Sequence, residues 1–413
     1  MSSRRDFLQA IGAVSVLSSS AVNALPAKSL RVRTLTAGVN LRDASDLAPV
    51  EAAVAVLKRG KQAFVDAGYE VQTLRIATNP FLAGLDTRGR MQALAALQAL
   101  DRMAAQHNLV MSVGPALTGN TADNEFVEWA AEFIRSTRTL SFSAVIAGSD
   151  GVHAKTAAVA ARTMMAIAAA LPDGIGNFRF AAAANIPAGT PFFPVAWHQG
   201  VESLAVGLES ASVVEEALSG ATDATTGTGQ LRQHLNKALA PVERIAMQLA
   251  SAERRTYLGI DSSPAPGKDR SIAAAIEALT RKPFGSNSTL EACAAITAAL
   301  KSLDVKTCGY SGLMLPVLED PLLAQRAGEK RFGIRELLLY SSVCGTGLDV
   351  VPIPGDSTES AIAGLLRDVA ALSTKLTKPL SARLFIVPGK HAGDMARFDD
   401  PVLTDSVVMG LEG

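Results

Sequence analysis

The sequence has 413 residues, of which 48% are hydrophobic, and it carries 39 basic and 39 acidic side chains. This apolar content suits one large core or two or three smaller domains, and a formal net charge of zero argues against nucleic acid as a partner. The three cysteines, Cys293, Cys308 and Cys344, are too few for a disulfide framework and lack the spacing of a structural zinc site.

Residues 1–27 have the layout of a twin-arginine signal peptide. Arg4-Arg5 is followed by Phe7-Leu8, by an apolar stretch from Ala10 to Leu17, and by small residues that end at Ala24. The apolar stretch is much shorter than the roughly 20 residues that span a bilayer, so we expect no stable membrane anchor. The segment predicts that the twin-arginine machinery exports the folded protein to the periplasm.

Beyond residue 28, short segments rich in Val, Ile, Leu and Thr alternate with longer Ala-rich segments of helical spacing, a pattern that favours parallel strands joined by crossovers. We predict strands at 31–41, 70–77, 109–114, 140–147, 178–184, 204–210, 255–260, 308–315, 339–351 and 382–387. We predict helices at 47–67, 87–107, 123–137, 153–170, 228–250, 269–281, 288–303, 322–337 and 358–374. The stretch 220–229 is predicted to be a surface loop, and no linker divides 28–413, which we treat as one domain.

His198 and Glu202 are the first candidate functional residues considered, and they are four positions apart in the sequence. On a helix they would share one face, as metal ligands or an acid–base pair would, but Gly200 disfavours a helix and an ordinary polar contact is the alternative. Asp261 and Glu319 follow predicted strands. Sites in α/β proteins collect acidic groups there, and turns also place Asp there by default.

The turn 354–357 joins a predicted strand to a predicted helix near Thr358. Asp356 or Ser357 is placed to cap that helix. The same turn, with Gly355, is also placed to bind an anion at the free N–H groups, and the two interpretations are compatible.

The loop 387–394 follows the last predicted strand and contains two glycines. Lys390, His391 and Asp394 supply a cation, a titrating base and a carboxylate within five residues. A solvated turn with incidental charges is the alternative interpretation.

Several segments resemble, in the same order, the uncharacterised bacterial and archaeal family called domain of unknown function 711. They are 32–46, 75–81, 193–202, 258–266, 310–320, 341–357 (SSVCGTGLDVVPIPGDS) and 387–395 (VPGKHAGDM). The resemblance implies an α/β barrel of about ten strands, similar to pyruvate formate-lyase, with two antiparallel halves and the helices outside. It also implies a homo-oligomer, but it implies no reaction.

Glycyl-radical enzymes of that fold need a radical glycine near the C-terminus. Gly389 or Gly393 would have to serve here, in a loop that does not match the radical-site pattern. We therefore do not expect glycyl-radical chemistry. A divalent metal held by His198 with Glu202, Asp261, Glu319 or Asp356 is an alternative interpretation.

The function predicted from these residues is that of an enzyme acting on a small polar or anionic metabolite inside the barrel. The alternatives are a non-catalytic periplasmic protein that binds a small molecule or metal ion, and a metal-dependent hydrolase. The candidate catalytic residues are His391, Asp356 and Asp261, and the candidate substrate-binding residues are Arg75, Asn79, His198, Glu319, Gly355, Lys390 and Asp394.

Overall fold

A computed structural model describes residues 30–411, so the predicted signal peptide lies outside the described residues. The strands are β1 (Arg31–Val39), β2 (Val71–Thr78), β3 (Leu109–Leu117), β4 (Leu140–Gly148), β5 (Gly151–Val152), β6 (Phe180–Ala184), β7 (Ser203–Glu209), β8 (Thr256–Ala265), β9 (Gly347–Pro354), β10 (Leu380–Val387), β11 (Met395–Ala396) and β12 (Ser406–Val407). The helices are α1 (Ala48–Asp66), α2 (Thr87–Gln106), α3 (Phe126–Ser136), α4 (Ala154–Ala170), α5 (Ala211–Leu218), α6 (Ala224–Ala252), α7 (Ile272–Thr280), α8 (Thr289–Lys301), α9 (Pro321–Gly328), α10 (Ile334–Tyr340) and α11 (Glu359–Leu376), with a 3-10 helix at Pro172–Arg179.

The strands form one large, mostly parallel sheet surrounded by helices. Its order is β8-β7-β1-β2-β3-β4-β6-β10-β9, and the short β5 pairs with β4. β1, β2, β3, β4 and β6 run parallel to one another. β7 is antiparallel to β1 and β10 is antiparallel to β6, so that β7, β8, β9 and β10 run the other way. The α/β class and the predicted number of about ten strands are confirmed.

The ladder pairing does not close this sheet. β8 and β9 are its edges, and the segment 306–318 lies between them. This segment makes only single bridges, from Thr307 to Ile260 in β8 and from Pro316 to Asp349 in β9. The strand predicted at 308–315 is therefore wrong, because backbone N–H groups of Tyr310 and Ser311 donate to the Asp261 carboxylate instead of to a ladder.

The loop predicted at 220–229 is also wrong, since α6 begins inside it at Ala224. The Asp223 side chain accepts a hydrogen bond from Thr226 N at 2.8 Å and so caps the helix. Gly227 allows close packing, because a Cβ atom there would lie 2.9 Å from Cδ1 of Leu279. Gly227 therefore serves helix packing rather than a loop.

Two further boundaries differ from the prediction. The helix predicted at 322–337 divides into α9 and α10, separated by Lys330 with a φ of 55°. The strand predicted at 339–351 starts as the end of α10, and only β9 is extended. All eight residues of β9 are buried, as expected for a strand covered on both sides. No helix within residues 30–411 combines the length and apolar character that a membrane span requires.

Two connections pack together against the sheet and shape the site. In the segment 185–202, the carbonyl groups of Pro194 and Ala196 accept hydrogen bonds from Ser112 Oγ of β3. Phe192 of this segment meets Tyr310 of the segment 306–318, with ring centroids 5.0 Å apart. The two irregular connections therefore contact each other directly.

Candidate functional site

A cavity of about 140 Å³ lies where the amino-terminal parts of β1 to β4 meet the carboxyl-terminal parts of β7 and β8. Its exposed lining residues, Asn108 and Arg138, mark the mouth. The charged residues that line the cavity are Arg33, Arg75, Arg138, Arg179, Arg383, Asp261 and Glu319, and the apolar ones include Phe178, Phe192, Phe193 and Met314. The cavity therefore combines an arginine-rich part with an aromatic part.

Glu319 is the centre of a buried charge network. Its side chain is 2% exposed and accepts from Arg33 Nη2 at 2.5 Å and from Arg383 Nη2 at 3.0 Å. Arg383 also contacts Asp349, with Nη2 2.7 Å from Oδ1. Burial opposes ionisation of Glu319, but the charges of Arg33 and Arg383 outweigh it and hold its pKa below the usual value.

A bulge in β9 places Asp349 in this network. Arg383 of β10 lies opposite two residues, Asp349 and Val350, because the register shifts between Ala382 and Leu384. Val350 has a φ of 41°, which a β-branched residue rarely adopts. Burial raises the pKa of Asp349, the charge of Arg383 opposes this, and the neighbouring Glu319 charge adds to the rise. The Oδ2 atom of Asp349 has no hydrogen-bond partner among the described residues.

Arg75 lines the cavity and has no carboxylate partner among the described residues. Its Nε donates to Thr73 Oγ1 at 3.1 Å, and its guanidinium lies 4.9 Å from the centroid of the Phe193 ring. Among residues 30–411, no carboxylate lies within ion-pair distance of it, and neither of its Nη atoms has a hydrogen-bond partner. Burial, with the charges of Arg33 and Arg383, lowers its pKa to about 9, so that it remains protonated at neutral pH.

Asp261 lines the cavity, but the surrounding backbone occupies its carboxylate. It accepts from Ser263 Oγ at 2.6 Å, from Ser263 N at 3.1 Å, from Ser311 N at 3.0 Å and from Tyr310 N at 3.2 Å. Burial raises its pKa, and these hydrogen bonds oppose the rise. Asp261 therefore fastens the segment 306–318 to β8.

The turns after β9 and β10 contact each other outside the cavity. His391 Nδ1 lies 2.8 Å from Asp356 Oδ2, and both side chains are more than half exposed. Asp394 accepts from His391 N at 2.8 Å, and Gly355 N donates to Lys390 O at 2.9 Å. The hydrogen bond with Asp356 raises the pKa of His391 and lowers that of Asp356. No residue of these turns is among the described residues that line the cavity.

The cap predicted for the helix after this turn is also displaced. Thr358, and not Asp356 or Ser357, accepts from Ala361 N at the start of α11. Ser357 Oγ donates instead to the carbonyl group of Pro354 at 2.7 Å.

Asn79 and His198 lie at the opposite ends of β1 and β2 from the cavity. Asn79 accepts from Leu41 N at 2.7 Å and donates to Leu41 O at 3.1 Å. His198 Nδ1 lies 3.2 Å from Ser203 Oγ, while Glu202 pairs with Arg255 at 2.9 Å. Within residues 30–411, no group of three or more His, Cys, Asp or Glu side chains could hold a metal ion.

The predicted site residues thus separate into three places rather than converging. Arg75, Asp261 and Glu319 reach the cavity. The sequence interpretation missed Arg33 and Arg383, because it searched the segments after strands. The available signal was a charged residue inside an otherwise apolar strand, with Arg383 between Ala382 and Leu384 as the clearest example.

Comparison with known proteins places the chain in a family. The model described as "Uncharacterised ACR (DUF711)" matches residues 23–399. A "UPF0210 protein" of Pyrobaculum arsenaticum is 30% identical, over 79% of this chain and 76% of the relative. Those of Desulforudis audaxviator and Desulfovibrio desulfuricans are each 27% identical, over 90% and 95% of this chain and 88% and 94% of the relatives. The chain belongs to the uncharacterised family DUF711.

Proposed function

We propose that this protein binds a small anionic molecule in the arginine-lined cavity. The observation that carries the proposal is the deeply placed Arg75 guanidinium, whose two Nη groups have no partner among the described residues. Arg75 is partly accessible at the cavity wall, and a charge that is largely shielded from water without a counter-charge is unfavourable. An anion seated against Arg75 would supply both the counter-charge and the hydrogen-bond acceptors.

Catalysis on the same anion is the second candidate function. It is favoured by the two carboxylates that share Arg383, since the pKa of Asp349 is raised while that of Glu319 is lowered. Carboxylates whose pKa values are displaced in opposite directions are a recurring arrangement for acid and base. Asp261 is less suited, because four hydrogen bonds already occupy it.

The test compares full-length protein with Arg75→Gln in calorimetric titrations against a panel of small carboxylates and phosphates. Arg42→Gln is the matched control, because Arg42 pairs with Asp46 at the surface. We expect wild type and Arg42→Gln to bind an anion equally, and Arg75→Gln to bind it at least about tenfold more weakly. Equal binding by all three proteins would refute the proposal. A bound anion recovered chemically unchanged supports binding, and a transformed one supports catalysis.

We also propose that the segment 306–318 completes a ten-stranded barrel of the pyruvate formate-lyase type. The strand directions support this proposal, because five neighbouring strands run one way and the four outer strands run the other. The segment bridges both outer edges in parallel orientation, at Thr307 and Pro316. The segment 306–318 would be the fifth strand of the half that contains β7, β8, β9 and β10.

Export to the periplasm and assembly into a homo-oligomer are further proposals. The support for export is the Arg4-Arg5 signature and the short apolar stretch after it. Changing both arginines to lysine should retain the protein in the cytoplasm, as measured by cell fractionation. Light scattering of the purified protein tests the oligomer, and a mass of one chain would refute it.

A further inference from the structure

We infer that the anion in this cavity is a monocarboxylate with a compact aromatic or apolar body of about ten non-hydrogen atoms. The inference rests on the proposed function, since it names the ligand class of the same cavity. The size follows from the volume: one water needs roughly 10–15 Å³ of such space, and the cavity offers about 140 Å³.

The charge of the wall indicates one negative charge on the ligand. In the network, Arg33 and Arg383 pair with two carboxylates, Glu319 and Asp349, and the neighbouring Arg75 pairs with neither. This leaves one positive charge uncompensated. The charged wall residues outside the network are Arg179, Asp261 and, at the mouth, Arg138. One negative charge therefore balances the part of the wall around Arg75, where a second negative charge would face Glu319.

Arg179 does not compete for the ligand. Its guanidinium donates to the carbonyl groups of Ile134 and Leu140 and to Thr137 Oγ1, at 2.5 to 3.0 Å. These three bonds fix it to the chain around the start of β4. Arg75 is thus the guanidinium whose paired Nη groups remain available in the wall, within the described residues.

The geometry of Arg75 fits a planar carboxylate. Two Nη donors on one guanidinium match the two oxygens of a carboxylate in a bidentate pair. The Thr73 hydroxyl group and the Phe193 ring hold the guanidinium in place. Fixing the donor group in this way reduces the entropy that is lost when the ligand binds.

The remaining wall fits an apolar body. Phe178, Phe192 and Phe193 line the cavity, and each retains partly accessible surface. The guanidinium carbon of Arg383 lies over the Phe178 ring, 4.7 Å from its centroid, and the Phe192 ring packs edge-on against Tyr310. Rings held in this way offer a flat apolar surface next to the arginines, against which an aromatic or apolar body can pack.

Phenylacetate, with about ten non-hydrogen atoms, is the probe for this inference. Calorimetric titration of the full-length protein should detect its binding. Phenylacetamide has the same shape without the charge and should bind at least about tenfold more weakly. Arg75→Gln and Arg75→Lys should both weaken phenylacetate binding, because neither offers the paired donors, while Arg42→Gln should bind like wild type. The ligand-free melting temperature of each variant shows whether it folds.

The outcomes separate this inference from the proposed function. Binding of succinate or phenyl phosphate that depends on Arg75, without binding of phenylacetate, overturns the monocarboxylate inference and leaves the anion proposal standing. Equal binding of phenylacetate and phenylacetamide overturns the inference as well. If no anion binds, or if binding is the same in Arg75→Gln, both proposals fail.

Discussion

Glu319 receives hydrogen bonds from two arginines that belong to different strands, and it neutralises part of a strongly positive cavity wall. Glu319→Gln keeps the shape of the side chain but leaves Arg33 and Arg383 facing each other with less counter-charge. We expect the free energy of unfolding to fall by about 3–5 kcal/mol, the range for removing one partner of a buried pair. Urea denaturation at neutral pH measures the change.

The control for Glu319→Gln is Asp46→Asn, which removes the carboxylate from an exposed pair with Arg42. Exposed pairs contribute little, because water and salt screen them. This variant should keep the wild-type denaturation midpoint. A Glu319→Gln protein that is as stable as the control would show that the network is not stabilising.

His391 and Asp356 form an exposed pair that should titrate together. The pKa of His391 is raised above its ordinary 6.5 by the hydrogen bond from its ring and by the Asp356 charge. The stabilisation from the His391 cation is therefore complete below the unfolded pKa and is lost as pH rises through the folded pKa. The stabilisation from the Asp356 carboxylate is complete above the unfolded pKa of this group. It is lost as pH falls through the lowered pKa in the folded protein.

NMR titration of the His391 ring measures this shift. In Asp356→Asn the pKa of His391 should return towards 6.5. Lys390→Gln, which changes a neighbour outside this pair, is the control and should leave the shift in place. An unchanged His391 pKa in Asp356→Asn would contradict the pairing.

Residue-level reasoning from sequence selected three of the charged residues that line the cavity. Arg75, Asp261 and Glu319 were selected on type and position, and all three line the cavity. Their partners were not found, because Arg33 and Arg383 become neighbours of Glu319 only through pairing of distant strands. Asp356 and His391 were also selected as catalytic candidates, but their turns contact each other outside the cavity.

At the element scale, one carboxylate caps two helices. Asp320 Oδ1 accepts from Leu322 N and Leu323 N at the start of α9. Its Oδ2 accepts from Ile272 N and, at 3.3 Å, from Ala273 N at the start of α7. The side chain is completely buried. Two helix N-termini therefore depend on a single residue next to Glu319.

Asp320→Ala should reduce the free energy of unfolding by about 2–4 kcal/mol, since it removes two caps and leaves buried N–H groups unpaired. Asp320→Asn, which keeps one acceptor oxygen, should lose less. Asp223→Ala removes the single exposed cap of α6 and should lose the least. Chemical denaturation of the three variants gives the order, and a loss in Asp320→Ala no greater than in Asp223→Ala would contradict the double cap.

Most elements were predictable, because the hydrophobic period of α1 persists over 19 residues and β10 is a short, largely apolar segment. The failures share a physical cause, which is that a tertiary contact overrides local preference. Gly227 is helical because Leu279 packs closely against it. Tyr310 and Ser311 leave the ladder because the buried Asp261 accepts their N–H groups. Neither partner is near in sequence.

At the scale of the whole molecule, the proposed barrel depends on the segment 306–318 behaving as a strand although it is irregular. Cys308 N donates to Ile260 O at 3.0 Å, and Val317 N donates to Asp349 O at 3.2 Å. We expect these two amides to exchange with deuterium as slowly as ladder amides in β8 and β9. Exchange as fast as that of the exposed turn 389–394 would contradict closure.

The ion pair between Arg33 and Glu319 joins residues that are 286 positions apart, and Arg383 enters from 64 positions further along. A partly synthesised chain therefore lacks a complete cavity wall, because β10, which carries Arg383, is synthesised near the end of translation. The twin-arginine route accepts folded proteins, so the proposed export would move a finished cavity across the membrane. An anion that binds in the cytoplasm would then be carried to the periplasm in the cavity of the folded protein.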